Sequence, residues 1–485
     1  MDLTLATAAI LLGLGVFGSV VTQWRSGIFI ILGVGFLQDP LRKLVPGEPV
    51  AISIAVVVVT LFVWVVGLNR FGGNRGVMGL GRYNPRLANA LIIFTGLVLF
   101  QSMVTIVTTG SLIIAGIGLI AYLSPMPPIW IGWWHFRKEV DIFPWLLIYV
   151  LFGIVVAIGV YLSWMGADWK VLEQVGEGLL IYDPIAGAVE THSGFMRVAE
   201  IAAWHMGAAA CFAIVLATTR PSLPRIVMFS LAIAFIIPAI FLTGRRKGLA
   251  MIGLFVGFAV ILFQFSRDRQ ARKASIALAG LALGTLSTLF YVTEDASDAS
   301  AFRPYAVRGE SVYGDAWDRF YDLGLGSGLT AIQYVGFLGY GAGVFSQGAQ
   351  HFGIELSVVG GGAEGGLGKI VLELGIPGLI VMAWVAWVFF SSIRNMTRAA
   401  GSGSQTNSTI MLSLMAFLLV NGILFVTASQ VFGDPFVLIV LGTIFGAVLS
   451  LSRILASPPA VRNQSFSPYD LRSNQASWRH KEGRP

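Results

Sequence analysis

The sequence predicts an all-α polytopic membrane protein with about 12–14 transmembrane helices. Of its 485 residues, 56% are hydrophobic and only 12% are charged, and the mean hydropathy is +0.78. Apolar stretches of roughly 20 residues, the length needed to cross a bilayer, recur along the chain to about residue 452. We therefore expect one transmembrane domain over residues 1–452 and a disordered cytoplasmic tail over residues 453–485.

Thirteen apolar segments are long enough to be counted as spans, and two of them are interrupted. Gln38-Asp39-Pro40 breaks the second segment and the proline-rich run Ser124–Pro128 breaks the fifth, which is why the count ranges from about 12 to 14. The segments cover residues 5–22, 26–40, 49–68, 87–107, 110–134, 143–164, 198–218, 225–243, 248–265, 274–292, 367–390, 409–427 and 435–452.

The net charge of +7 comes from arginines and lysines that lie mostly in short connections between these segments. Connections rich in Lys and Arg face the cytoplasm in membrane proteins. Their placement predicts a cytoplasmic C-terminus and argues against nucleic acid as a partner. The connections carry Arg70, Arg75, Arg82, Arg86, Arg137, Lys138, Arg220, Arg225, Arg267, Arg269, Arg272, Lys273, Arg394 and Arg398.

Two long polar segments, residues 165–197 and 293–366, lie on the extracytoplasmic side in this topology. Both are rich in acidic residues, and the second also holds arginines and aromatic residues. Binding and catalytic residues concentrate on loops that a rigid scaffold positions. We therefore expect the functional site in these two loops.

One connection on the extracytoplasmic side, Thr243-Gly244-Arg245-Arg246-Lys247-Gly248, conflicts with the charge rule because it carries three cations. A turn this short fixes the guanidinium groups near the membrane face, where planar donors suit a phosphate or diphosphate. Alternatively, Arg245 and Lys247 reach the phosphates of lipids, or the topology is inverted at this point. Arg246 is the strongest candidate for a ligand contact, followed by Arg245.

The second long loop contains the residue types that bind sugars and phosphates. Aromatic rings stack on sugars and arginines bind phosphates, so Arg303, Trp317 and Arg319 are candidate substrate-binding residues. His351 and Glu364 are candidate proton acceptors, although a lone loop histidine or glutamate is more often simply solvated.

Ionisable residues also occur at the outer ends of two apolar segments. Lys369 and Glu373 lie four residues apart and so share a helix face, either as a functional pair or as an ion pair beside a kink at Gly375–Gly378. Arg197 precedes the seventh segment, with Glu200 and His205 further along it. Of these last three, Arg197 is the best candidate for substrate binding.

Four features of the chain resemble the superfamily of O-antigen ligases and of O-antigen or exopolysaccharide polymerases, over roughly residues 140–452. The first feature is the turn with Thr243-Gly244-Arg245-Arg246, which is similar to the family's Thr-Gly-Ser-Arg. The chain departs from the family at Ala363-Glu364, where many members have His-Asn. The other three features are Gly194–Arg197 at the start of a span, Gly339–Gly343 in the large loop, and Glu373–Gly378 after it.

The resemblance implies a bacterial inner-membrane glycosyltransferase of GT-C-like architecture that uses neither metal nor cofactor and whose active site faces the periplasm or exterior. It would take glycan from undecaprenyl diphosphate and polymerise repeat units on an acceptor hydroxyl. Arg246 and Arg319 would hold the diphosphate, Arg197 a donor or acceptor phosphate, and His351 or Glu364 the acceptor proton. A chain-length regulator and a flippase of the same pathway are implied partners, beside the bilayer itself.

Three other functions remain open at this stage. A ligase would move finished glycan to lipid A core or to protein, and the sequence barely separates it from a polymerase. A polysaccharide transporter or flippase would place ionisable residues near the bilayer midplane and show inverted repeats, neither of which is evident. A non-catalytic membrane scaffold would tolerate the loss of Arg246 or Arg319.

Overall fold

The computed structural model describes a largely helical chain over most of its length. The predicted span 274–292, most of span 5–22, the tail after residue 456, His351 and Glu364 lie outside the described residues, as does the side chain of Arg319. The structure describes residue 15 and residues 18–70, 79–175, 180–183, 187–265, 301–346, 349, 365–399 and 405–456.

The described part of the chain is organised by the α-helices named below, by shorter helical segments between them, and by one short hairpin. The hairpin pairs strand β1 (Leu180–Asp183) with the antiparallel strand β2 (Gly187–Glu190) inside the first long loop, where the sequence had predicted no strand. The helices are α1 (Gly27–Leu44), α2 (Ala55–Arg70), α3 (Pro85–Thr109), α4 (Leu112–Leu123), α5 (Met126–His135), α6 (Ile142–Trp164), α7 (Ala199–Thr219), α8 (Leu223–Leu242), α9 (Lys247–Phe265), α10 (Arg303–Arg319), α11 (Ser327–Val335), α12 (Gly366–Ala399), α13 (Gln405–Thr427) and α14 (Pro435–Ala456).

Ten helical segments within the described residues are long and apolar enough to cross a membrane. They confirm the prediction of a mostly helical, polytopic membrane protein, and each coincides with a predicted span. Helices α4 and α5 together form one of the ten, with the predicted break at Ser124 and Pro125. Helix α1 matches the predicted second span, but it carries Asp39, Arg42 and Lys43 and is not one of the ten.

Local sequence signals explain where the helices begin and end. At the start of α3, the Asn84 side chain accepts a hydrogen bond from the Leu87 backbone N–H, and Pro85 occupies the first helical position. At its end, Gly110 adopts a left-handed conformation with φ of 67°. Glycine has no Cβ, so it can end a helix in this conformation at little steric cost. Helix α4 then starts with Ser111 as its cap.

Helix α7 lies at the centre of the bundle, since 94% of its membrane-spanning part is buried. It is rich in alanine, and small residues let helix backbones approach closely inside a membrane. Ala209 packs against Gly153 of α6, where a side chain would collide with it. The close approach of α6 to α7 sets the position of the loops at the ends of both helices.

The two ends of the bundle can be distinguished by the residues and segments that lie there. At one end, called here the Arg137 end, the guanidinium of Arg453 lies 4.2 Å from the Trp133 ring centroid and that of Arg220 lies 5.1 Å from the Phe143 ring. The opposite end, called here the loop end, carries the hairpin, the turn between α8 and α9, and helices α10 and α11. The predicted site residues that the structure describes lie at the loop end.

The glycine-rich segment Gly339–Gly343 enters the bundle between α3, α4 and the start of α12. Helix α12 is interrupted at Gly375, whose φ is 69° and ψ −170°. The interruption leaves backbone N–H and C=O groups of α12 without partners inside the helix. The Leu372 carbonyl therefore accepts a hydrogen bond from the Tyr340 N–H, and the Ile376 N–H donates to the Phe337 carbonyl. The glycines therefore permit close contact between this segment, called here the strap, and the surrounding helices.

Replacing Gly341 by alanine is expected to destabilise the protein. Its φ of 112° disfavours any side chain, and a Cβ would lie 2.7 Å from the Thr105 backbone nitrogen. We expect a loss of unfolding free energy of about 1–3 kcal/mol or more, measured by thermal unfolding in lipid nanodiscs. Gly257→Ala is the matched control, because no atom lies within 4 Å of a Cβ there and alanine favours helices; an equal loss at both positions would contradict the prediction.

Candidate functional site

The turn between α8 and α9 is held rigidly by hydrogen bonds of its own. The Thr243 hydroxyl donates to the Ile240 carbonyl at 2.6 Å and accepts from the Arg245 backbone N–H at 3.1 Å. Gly244 adopts a left-handed conformation with φ of 65° and lies against the hairpin side of the first long loop. Thr243 and Gly244 therefore fix the direction in which the three following cations leave the backbone.

The three cations of this turn have different surroundings. Lys247 forms an ion pair with Glu200 in the first turn of α7, so its charge is neutralised locally. Arg246 is half-buried and contacts other groups of the chain. Arg245 is also half-buried, but its Nε–H is buried without a hydrogen-bond acceptor among the described residues. Arg245 thus carries a donor that an incoming anion would satisfy.

Helix α10 packs directly on the turn through a residue that sequence reasoning missed. The Nε–H of Arg308 donates to the Gly244 carbonyl at 2.8 Å. Close beside it, Gly309 packs against the Phe241 ring, leaving no room for a side chain. A third arginine is thereby brought to the cations of the turn from a distant part of the chain. No local motif marks Arg308, since its partner is a backbone carbonyl 64 residues away.

His192 is a second residue of this site that was not predicted. Its Nδ1 lies 3.2 Å from the Ser163 hydroxyl and its Nε2 lies 3.0 Å from the Tyr305 hydroxyl of α10. Its backbone N–H donates to the carbonyl of Leu242, which places it beside the turn. Its position two residues before the Gly194–Arg197 motif was the only signal in the sequence. His192 therefore joins the first long loop to the second.

Burial lowers the pKa of His192 below its ordinary value of 6.5, and nearby Glu190 opposes this only in part. Burial likewise raises the pKa of Tyr305 to about 12, with Glu190 acting in the same direction. Both side chains are consequently uncharged at neutral pH. An uncharged pair suits a contact between helix α10 and the first long loop, beside a turn that already carries several cations.

The titration of His192 predicts a pH dependence of stability. Because the pKa is lower in the folded state, the unfolded chain binds more protons as the pH falls below about 6.5, and the free energy of unfolding decreases until the folded pKa is reached. We expect the melting temperature of the wild type to fall more steeply below pH 6.5 than that of His192→Gln. Identical pH profiles for the two proteins would show that His192 does not contribute.

Arg197 lies in a buried cluster of charges rather than open to a ligand. One guanidinium nitrogen lies 3.3 Å from Asp39 of α1 and another 2.6 Å from Asp434, next to the start of α14. Both carboxylates are 2% exposed, and the Arg197 side chain is 17% exposed. Burial lowers the pKa of Arg197, but Asp434 and Asp39 together outweigh it and raise the pKa above its ordinary value. The cluster connects α1, the start of α7 and α14.

The remaining candidates on α10 lie along its length. Arg303 is exposed at its first position and contacts other groups of the chain. Trp317 is 73% exposed, and its ring lies 6.1 Å from that of Phe320. Nine residues separate Trp317 from Arg308, about 13 Å along a helix, so Trp317 stands apart from the cations of the turn.

Lys369 and Glu373 lie in helix α12, before its interruption at Gly375, and their side chains have different surroundings. The carboxylate of Glu373 is fully buried and accepts hydrogen bonds from the Tyr122 hydroxyl at 2.6 Å and from the Phe345 backbone N–H at 2.9 Å. Glu373 thereby fastens the segment that follows the strap to α4. Lys369 is 8% exposed and forms no ion pair with Glu373.

The chemistry of the site is that of cations and hydroxyl groups. Within the part of the chain that the structure describes, no three His, Cys, Asp or Glu side chains are placed to hold a metal ion. Arg245, Arg246 and Arg308 instead lie around a turn, and their guanidinium groups are of the type that binds anions.

Comparisons with known proteins add no relative to this picture. No protein-family model matches the chain, and no curated protein matches it either. The family resemblance therefore depends on the four sequence motifs alone, and what the structure shows by itself is a helical, multi-pass membrane protein with a cluster of arginines at one end of its bundle.

Proposed function

We propose that the chain is a metal-independent membrane glycosyltransferase that polymerises undecaprenyl-diphosphate-linked repeat units into exopolysaccharide or O-antigen. The proposal combines the motif resemblance with the arginines at the loop end. The observation that carries it is the buried Nε–H of Arg245, which has no acceptor among the described residues. A diphosphate oxygen would accept a hydrogen bond from that N–H and would also be attracted by the positive charge of the guanidinium. A neutral ligand would gain only the hydrogen bond.

The reaction needs negative charge to be stabilised on the leaving group. An acceptor hydroxyl attacks the anomeric carbon, the bond from that carbon to the diphosphate oxygen breaks, and the acceptor proton passes to a base. Charge grows on the diphosphate as its bond breaks, so fixed guanidinium groups bind it more tightly in the transition state than in the ground state. Arg245 and Arg246 would supply this binding, with Arg319 joining them from the second loop.

The other residues of the site would position these arginines. Arg308 binds the Gly244 carbonyl, and Tyr305 binds His192, so α10 is held both to the turn and to the first long loop beside it. Arg197 would also hold neighbouring helices in place rather than bind substrate, since two carboxylates already bind its guanidinium. His351 and Glu364 remain the predicted proton acceptors on the strength of the resemblance.

The direction of the site follows from the charge rule. Basic residues at the Arg137 end would face the cytoplasm, which puts the loop end and its arginines outside, in the periplasm or at the exterior. A bacterial inner membrane and a cytoplasmic C-terminus are part of the same proposal. A lipid-linked glycan that has been moved outward would meet the site there.

The test is a transfer assay with purified protein in proteoliposomes. The substrate is a lipid-diphosphate-linked repeat unit, and the products are sized by electrophoresis. A ladder of products supports the polymerase, and a single transfer to lipid A core or to an added protein supports the alternative of an O-antigen ligase. Movement of the substrate across the bilayer with no change in its size would support a flippase and reject the enzyme.

The transporter alternative has one observation in its favour. His205 is fully buried in α7, its Nδ1 lies 2.7 Å from the Tyr149 hydroxyl, and its Nε2 has no partner among the described residues. Buried ionisable residues within spans often belong to transport pathways. Aromatic rings surround this histidine, however, including Phe436 with a centroid distance of 4.7 Å, and such packing suits a static core better than a path for a charged glycan.

A further inference from the structure

In the part of the second long loop that the structure describes, large apolar side chains form an exposed surface. Four large residues, each four positions from the next, are exposed along α10, the π-helical segment Phe320–Gly326 and α11. Residues four apart lie on the same side of a helix. We call this surface the apolar stripe: it consists of Trp317, Tyr321, Leu325 and Leu329, exposed by 73%, 58%, 45% and 64%.

A line of polar residues lies beside the apolar stripe. Asp318 and Asp322 directly follow Trp317 and Tyr321, and both are exposed. Thr330 continues the exposed polar side in α11. An exposed helix with an apolar stripe next to a polar line has the amphipathic character of a segment that lies in the plane of a membrane interface. The aspartates of this line favour uncharged or zwitterionic headgroups over anionic ones.

The position of the stripe relative to the membrane follows from Leu338, the residue directly before the strap. Just beyond α11, the Leu338 carbonyl accepts a hydrogen bond from the Gln101 side chain. Gln101 lies eight residues before the end of α3, about 12 Å along that helix, so Leu338 is at the depth of a membrane-spanning segment. The Leu338 side chain is nevertheless exposed, as are the outer residues Met103 and Val107 of α3. The apolar surface of the loop thus continues into the lipid-facing surface of the bundle.

We infer that the apolar stripe lies in the headgroup layer of the leaflet at the loop end, so that α10 and α11 rest on the lipid bilayer. A glycan is the competing occupant, because aromatic rings stack on sugars. Leu325 and Leu329 decide between the two, since aliphatic side chains offer a sugar no stacking face but insert readily among acyl chains. The inference concerns lipid contact alone and stands whether or not the chain transfers glycan.

Site-specific fluorescence in zwitterionic phosphatidylcholine nanodiscs tests this placement. Cys211, the one cysteine of the chain, is replaced by alanine, and an environment-sensitive dye is attached at Leu329→Cys or, as a matched control, at Asp322→Cys. We expect a phosphatidylcholine with a spin label near its headgroup to quench the dye at position 329 several-fold more than at 322. Aqueous iodide should show the reverse order.

Two outcomes would overturn the inference. One is equal access of iodide to both positions, which would place α11 in water. The other is a dye at position 329 that iodide reaches until an oligosaccharide is added, which would assign the stripe to glycan. If the variants do not fold, the unmodified protein decides: photoactivatable phosphatidylcholine should cross-link to the segment 317–338, and cross-links confined to the membrane-spanning helices would reject the placement.

Discussion

Arg246→Ala is expected to lower the rate of glycan transfer by about 10²–10³-fold, because under the proposed function it removes a guanidinium that would bind the leaving diphosphate more tightly in the transition state. Arg245→Ala should act in the same direction, since the buried Nε–H of Arg245 has no other acceptor among the described residues. The same loss is expected for Arg319→Ala. Lysine at position 246 should restore little activity, because an ammonium group cannot make the planar double contact of a guanidinium.

The measurement is the initial rate of conversion of a lipid-diphosphate-linked repeat unit in proteoliposomes, with protein amount and melting temperature checked for each variant. Arg220→Ala is the matched control, because Arg220 lies at the Arg137 end against the Phe143 ring. It should transfer glycan at the wild-type rate. Full activity in Arg246→Ala and Arg245→Ala together would reject the role of the turn, whereas no transfer by the wild type itself would favour a scaffold.

Arg197→Ala is expected to lower the free energy of unfolding by about 3–5 kcal/mol, because it removes the guanidinium that pairs with two buried carboxylates. Asp39 and Asp434 are each 2% exposed, so water cannot replace the lost guanidinium without opening the contact between α1 and α14. Thermal or denaturant unfolding in nanodiscs gives the size of the loss. Glu200→Gln is a control: its partner Lys247 is 35% exposed, against 2% for the carboxylates around Arg197, so a smaller loss is expected there.

Asp434→Asn separates a structural role of Arg197 from a role in phosphate binding. A structural role predicts that both Asp434→Asn and Arg197→Ala lower the unfolding free energy. A role in phosphate binding alone predicts that Asp434→Asn leaves stability unchanged and that Arg197→Ala loses activity without losing stability. The second pattern would restore Arg197 to the predicted substrate-binding set.

Much of the helical architecture could be predicted because a bilayer imposes a length on each span. The segment 87–107, for instance, was predicted from about 20 apolar residues and is helix α3, Pro85–Thr109. The break of α12 at Gly375 was also indicated by local sequence, since glycine and proline there disrupt helical backbone. The hairpin was not predicted, because two strands of four residues give too short a pattern to be recognised.

The candidate site was predictable only in part, for a related reason. The cations of the turn at Arg245 and Arg246 stood out because they broke the charge rule within a few residues. Arg308 and His192 could not be found in this way, since each is defined by a partner from another segment: Gly244 for Arg308 and Tyr305 for His192. Such pairs have no period or spacing that a single sequence displays.

The sequence by itself determined that this chain crosses a membrane many times, where its spans lie, and that one tight turn between two spans carries three consecutive cations, because apolar length and charge placement are local properties. Only the tertiary structure decided that Asp39 and Asp434 bind Arg197, and that the strap passes between α3, α4 and α12. Those contacts join residues far apart in the chain. They form because buried charges and released backbone groups must find partners wherever the fold places them.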